Sequence, residues 1–180
     1  GSVTHFQTTR ENLPEALKLV AHVVREPSFP ASEFEQLRQQ AIVGLQSSRS
    51  EPSSVASRAL NEHFDIYPKG DIRHETTYDE DLADLKGATL DQVKAFHHDY
   101  YGTVPAEMSI VGDFDAQAIA PLIDQLFGRW KAPMHVAPVL RKNGDIAPIH
   151  EFLNTPDKAN GYYTARINRD LKLDDPDYPA

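Results

Sequence analysis

The chain has 180 residues, 40% hydrophobic and 25% charged, with a formal net charge of −9 and no cysteine. That size and composition describe one globular domain, or one domain with part of another, able to bury a core without covalent staples. The acidic balance, spread without any Lys/Arg cluster, argues against nucleic acid as a partner. No apolar run approaches the ~20 residues of a membrane span, and the missing cysteines exclude disulfides and thiolate chemistry.

The first segment, "VTHFQTTR", mixes β-branched and aromatic residues in loose alternation and predicts a strand. Asn12 then stands as a helix cap, with Pro14 in the first turn and Glu15 three residues on. Leu13, Leu17, Val20 and Val24 follow at helical spacing, which predicts an amphipathic helix over 13–26. "PSFP" ends it, and Ser32 with Glu35 suggests a capping box for a helix reaching about residue 50, its inner stripe being Phe34, Leu37, Ala41, Leu45 and Ser48. Gly44 lies inside that helix, where glycine costs roughly 1 kcal/mol relative to alanine. Beyond Pro52, the residues Val55, Ala59, Leu60 and Phe64 outline a third helix, and "IYPKGDIRHE" reads as a loop.

Two further capping boxes, Thr77 with Glu80 and Thr89 with Gln92, open a short helix and one ending at "FHHDYYG", with Gly102 as its stop. "AEMSIVGDF" predicts a strand, and Asp115 caps a helix ending at "LFGRW". Residues 131–148 carry three prolines and a glycine and read as a linker. "IHEFL" and "YYTARI" predict two more strands around the turn-like "NTPDKANG". The expected fold is therefore α/β (α+β): helices layered on a mixed or antiparallel sheet. Gly1-Ser2 reads as a tag-cleavage scar, so an excised piece cut at both ends is expected. Its expected division is a domain over 1–130 with its leading strands missing, a linker over 131–148, and the opening of a second domain over 149–180.

Eight histidines invite a metal hypothesis. A zinc site on a helix needs ligands one turn apart, as in HExxH or HxxEH, and none of the eight has that spacing. His97 and His98 are adjacent and diverge on a helix, His63 and His74 flank the loop, and His150 lies on an expected strand. No GxSxG elbow, phosphate loop or lysine-bearing glycine motif is present. Paired carboxylates such as Asp79, Glu80 and Asp81 sit at helix starts, where the helix dipole favours them. No catalytic residue is expected.

The order of the pieces is more specific than any one of them. "RENLPEAL", "REPSFPASEFEQLRQQ", "YDEDLADLKGATLDQVKAFHHDYYG", "SIVGDFD", "LFGRW" and "DKANGYY" before "DDPDYPA" together resemble the pitrilysin/insulinase family of zinc metallopeptidases, in its long bacterial members, from about Phe6 to Ala180. The resemblance implies four similar α/β domains in two halves that close over an unfolded peptide, with zinc held by HxxEH and a later glutamate in the first domain. The helix over 33–50 is similar to the one that carries this glutamate, and the resemblance sets Gly44 at the ligand position. A hydrogen side chain binds no metal, so the piece resembles a domain of the non-catalytic C-terminal half, with no metal of its own while the parent holds zinc. A glycine that lets another helix approach is a compatible reading of Gly44.

The implied function is a non-catalytic domain of a zinc-dependent metalloendopeptidase that helps enclose the peptide. The alternative is a peptide-binding or structural subunit of the same family without protease activity. The implied partners are unfolded peptide and the catalytic half of the same chain, with a homodimer through exposed edges also expected. The implied compartment is the periplasm. The family's substrate-gripping Arg and Tyr follow a glycine-rich stretch that this chain does not contain, so no substrate-binding residue is assigned.

Overall fold

The computed structural model describes residues 3–103, 106–135 and 137–169. Six helices follow in chain order: α1 Leu13–Arg25, α2 Ala31–Ser48, α3 Pro52–His63, α4 Tyr78–Gly87, α5 Leu90–Tyr100 and α6 Ala116–Phe127. Each falls where the periodicity places it. Both threonine capping boxes form as expected, Thr77 with Glu80 and Thr89 with Gln92. Asp115 accepts the N–H groups of Gln117 and Ala118. Asn12 occupies its cap position without a side-chain bond, and α2 begins before Ser32, which leaves that residue inside the first turn.

The α/β expectation is overturned: among the described residues there is no β-strand. The segments around Met108, Phe152 and Tyr163 carry no ladder hydrogen bonds. Alternating β-branched and aromatic residues suit a pleated, half-buried surface, but a strand exists only through a neighbour in register. Without that neighbour their apolar side chains face solvent, with Val111 93%, Phe152 90% and Tyr163 84% exposed.

The chain separates into two compact units interleaved in sequence, Gly1–Phe34 with Thr89–Ala137, and Glu35–Ala88 with Pro138–Ala180. The expected linker over 131–148 is thus shared between them. The last eleven residues of the expected second domain, 170–180, lie outside the described residues.

In the first unit α1 packs on α6. Leu13, Leu17 and Ala21 recur every four residues and are buried, Leu17 completely, and Ile119 clusters with Leu13 and Leu17, with Leu122, Ile123 and Leu126 partly buried beside it. Pro121 stands inside α6, where a missing N–H and a ring clash usually cost about 3 kcal/mol. The helix persists because residues on both sides of the proline are anchored in this apolar contact. Arg25 Nη1 donates to Leu126 O (2.5 Å), satisfying a carbonyl at the end of α6. Gly102 does not act as a left-handed helix stop. A Cβ there would lie 2.5 Å from the backbone N of Ala132, so glycine permits the close approach that lets Thr103 N and Oγ1 bond Trp130 O.

In the second unit the helices are tied by polar contacts. The Arg58 guanidinium lies 4.0 Å from the Tyr78 ring centre and pairs with Asp81 at 2.6 Å, while Tyr78 Oη donates to Ser48 O (3.1 Å). Lys158 reaches Glu51 (2.8 Å), and Arg166 lies over the Phe64 ring.

Candidate functional site

Gly44 is the first candidate position. The sheltered residues of α2 are Phe34, Arg38, Ile42, Leu45 and Ser48, while Leu37 and Ala41 are exposed, so the expected stripe is rotated by about one residue. Ile42 is buried; Gly44, two residues on and so about 200° around the helix, is exposed. A Cβ at Gly44 would meet nothing within 4 Å. The position therefore faces open space, and no neighbouring helix presses on it among the described residues.

The histidines fall into separate places. His97 Nε2 donates to Val24 O (2.8 Å), with its ring edge-on to Phe29, which holds a left-handed backbone (φ 47°) rare for an aromatic residue. His98 pairs with Asp99, His63 Nε2 lies 2.8 Å from Ala147 O, and His150 packs on Phe152. Among the described residues, no three His, Asp or Glu side chains come together in an arrangement that holds a metal ion.

The densest polar cluster lies in the loop between α3 and α4. Asp65 is only 7% exposed and accepts three donors: the N–H groups of Tyr67 and Glu75 (both 2.9 Å) and His74 Nδ1 (2.6 Å). Burial disfavours its charge, but those donors outweigh burial and hold its carboxyl below the usual range. His74 Nδ1 also faces Tyr67 O (3.1 Å); both partners are acceptors, so this nitrogen carries a hydrogen. On the other side of the ring, Nε2 lies 3.8 Å from Glu80 Oε2, in the first turn of α4. Lys69 pairs with Glu80 and, with the Thr77 N–H, lowers the Glu80 carboxyl from 4.5 to about 2. Asp71 is held well below its usual range by the side chain and backbone N–H of Arg73. Reading "IYPKGDIRHE" as a plain loop misses this cluster. The alternation of opposite charges from Asp65 to Glu80 is the signal that was present.

Within the second unit, α3 and the segment 144–168 enclose a cavity of about 650 Å³, with Val55, Ala59, Leu60, Phe64, Ile149 and Tyr162 among its walls. His63, Asp145, His150, Glu151 and Arg166 line it beside these apolar side chains. Among the described residues no helix is long and apolar enough to cross a membrane.

Comparison with known proteins gives one match. The family model described as Peptidase M16 inactive domain covers residues 87–173, just under half of the chain. No curated protein and no solved structure matches. The matched stretch holds α5, "VGDFD", α6, "FGRW" and "DKANGYY", and leaves α2 and Gly44 outside it. Over residues 87–173, from the end of α4 onward, this chain is similar to the inactive-domain family of the M16 peptidases.

Proposed function

We propose that the chain is a non-catalytic part of a zinc-dependent metalloendopeptidase, one wall of a chamber that confines unfolded peptide beside a catalytic half in the same protein. The match of residues 87–173 to the inactive domain carries this reading. Among the described residues nothing fits a zinc ion: Gly44 offers no donor atom, and the His, Asp and Glu side chains form no ligand set. No hydrolytic step is therefore assigned to them, and this reading puts the zinc-bound water of the parent enzyme outside the chain. A wall contributes by holding the peptide and excluding water from it. The cavity beside α3, with both apolar and polar walls, supplies surface suited to such contacts.

The test compares a full-length parent with a version lacking these 180 residues, assayed for zinc content and for cleavage of an unfolded peptide. Cleavage lost with zinc retained is the expected result, and this chain alone with added zinc cleaves nothing. Undiminished cleavage after the deletion overturns the reading. A full-length protein that binds peptide but neither holds zinc nor cleaves establishes a peptide-binding subunit instead.

A further inference from the structure

One face of α3 gives the cavity of the second unit Val55, Ala56, Ala59, Leu60 and His63, spaced by a helical turn, with Phe64 just beyond. The chain over 144–153 and 161–168 supplies most of the remaining wall. Among the described residues, the only backbone-to-backbone hydrogen bond within 144–168 is Lys158 N donating to Thr155 O, at the turn. The peptide groups on either side of that turn therefore have no backbone partners there. Arg166 stands on this wall. Its Nε donates to Asn168 Oδ1 (3.0 Å), its Nη1 to Asn61 Oδ1 (3.3 Å), and the guanidinium lies 4.6 Å from the Phe64 ring centre. Arg49, Arg58, Arg73 and Arg141 each pair with a carboxylate, whereas Arg166 pairs with none among the described residues. Two amide oxygens and a ring face hold this cation in place without neutralising it, and Nη2 keeps its hydrogens for another acceptor.

We propose that this cavity binds the C-terminal end of a peptide, with the terminal carboxylate on Arg166 and an apolar last side chain against α3. A guanidinium fork and a carboxylate match in charge and in shape, because two N–H groups meet two oxygens. The peptide's own N–H and C=O groups supply partners for the unpaired backbone of the wall, as an added strand does. A fatty acid would satisfy Arg166 and the apolar face but leave that backbone unmatched. Asp145 and Glu151 line the same cavity without an ion-pair partner among the described residues. They disfavour a second negative charge, so the bound end carries its one carboxylate at the terminus and no acidic side chain beside it. A cavity of about 650 Å³ has room for a peptide end and not for a folded partner. This site rests on the reading that the chain holds peptide, and names the end it holds.

Fluorescence anisotropy of the intact chain tests it with a short, N-terminally labelled apolar peptide ending in phenylalanine, the free acid against its C-terminal amide. The free acid should bind about fivefold to tenfold more tightly, the size of one charge-assisted pair at a partly open site. Arg166→Gln should bring the acid down to the affinity of the amide and leave the amide unchanged, which a general loss of packing would not do. Equal binding of acid and amide, no binding of either, or an Arg166→Gln chain that keeps the preference overturns the proposal. Octanoate that displaces the probe as well as the unlabelled peptide acid does marks a site for any apolar acid, and overturns it too. The comparison of acid with amide uses the unaltered chain, so it remains decisive if Arg166→Gln fails to fold. Undiminished cleavage by a parent lacking this chain removes the chamber and leaves carboxylate-dependent binding by the chain standing. Cleavage lost on that deletion, with no such binding, removes this site alone.

Discussion

In the α1–α6 pair the fully sheltered side chain is Leu17, and what holds the helices is apolar area removed from water. In the loop before α4 a carboxylate, Asp65, is sheltered, and what holds the backbone is a set of donors aimed at acids. The difference shows that two regions of one acidic chain reach order by mechanisms with opposite sensitivities. Apolar burial barely responds to pH, but depends steeply on side-chain volume. The polar loop tolerates volume changes at its surface and depends on which groups are charged.

The largest break in this comparison comes from Leu17→Ala. It removes the completely buried residue of the pair and should cost about 2–5 kcal/mol, read by urea unfolding followed through amides of α1 and α6. A loss under about 1 kcal/mol would mean that the pair is not held by burial. Gly44→Ala has the opposite sign. With nothing within 4 Å of the new methyl, relief of the glycine penalty should raise the stability of α2 by about 0.5–1 kcal/mol. A loss there would show that this face of α2 is covered in solution.

Acid gives the most local effect. The Glu80 carboxyl is depressed from 4.5 to about 2, so its contribution is present above pH 4.5 and is lost as the pH falls from there towards 2. Asp65 and Asp71 are shifted in the same direction. Hydrogen exchange during acidification should therefore open residues 65–87 before α1 and α6. Simultaneous opening would erase the distinction between the two regions.

Local features were legible from residues alone. A threonine with Glu or Gln three positions later marks a helix start because donor and acceptor lie within one turn, and Thr77 and Thr89 both behave so. Asp115 is the same kind of signal. The face of α2 was legible only approximately, since Phe34 and Leu45 fit two stripes that differ by one residue between them. His74 and Asp65, nine residues apart, could be recognised as polar but not as partners, because the turns of the loop bring them together. Gly44 could be flagged as costly, but not as facing open space.

By itself the sequence determined the six helices, most of their boundaries and the likeness to an inactive peptidase domain, because caps and helical periodicity act over a few residues. The tertiary structure alone decided that the apolar stretches near Met108, Phe152 and Tyr163 form no strands, that α6 continues through Pro121, and that His74 lies between two acids. Each of those outcomes rests on a neighbour distant in sequence: a strand needs one and lacks it here, α6 draws its support from α1, and the imidazole finds its acids only when the loop closes.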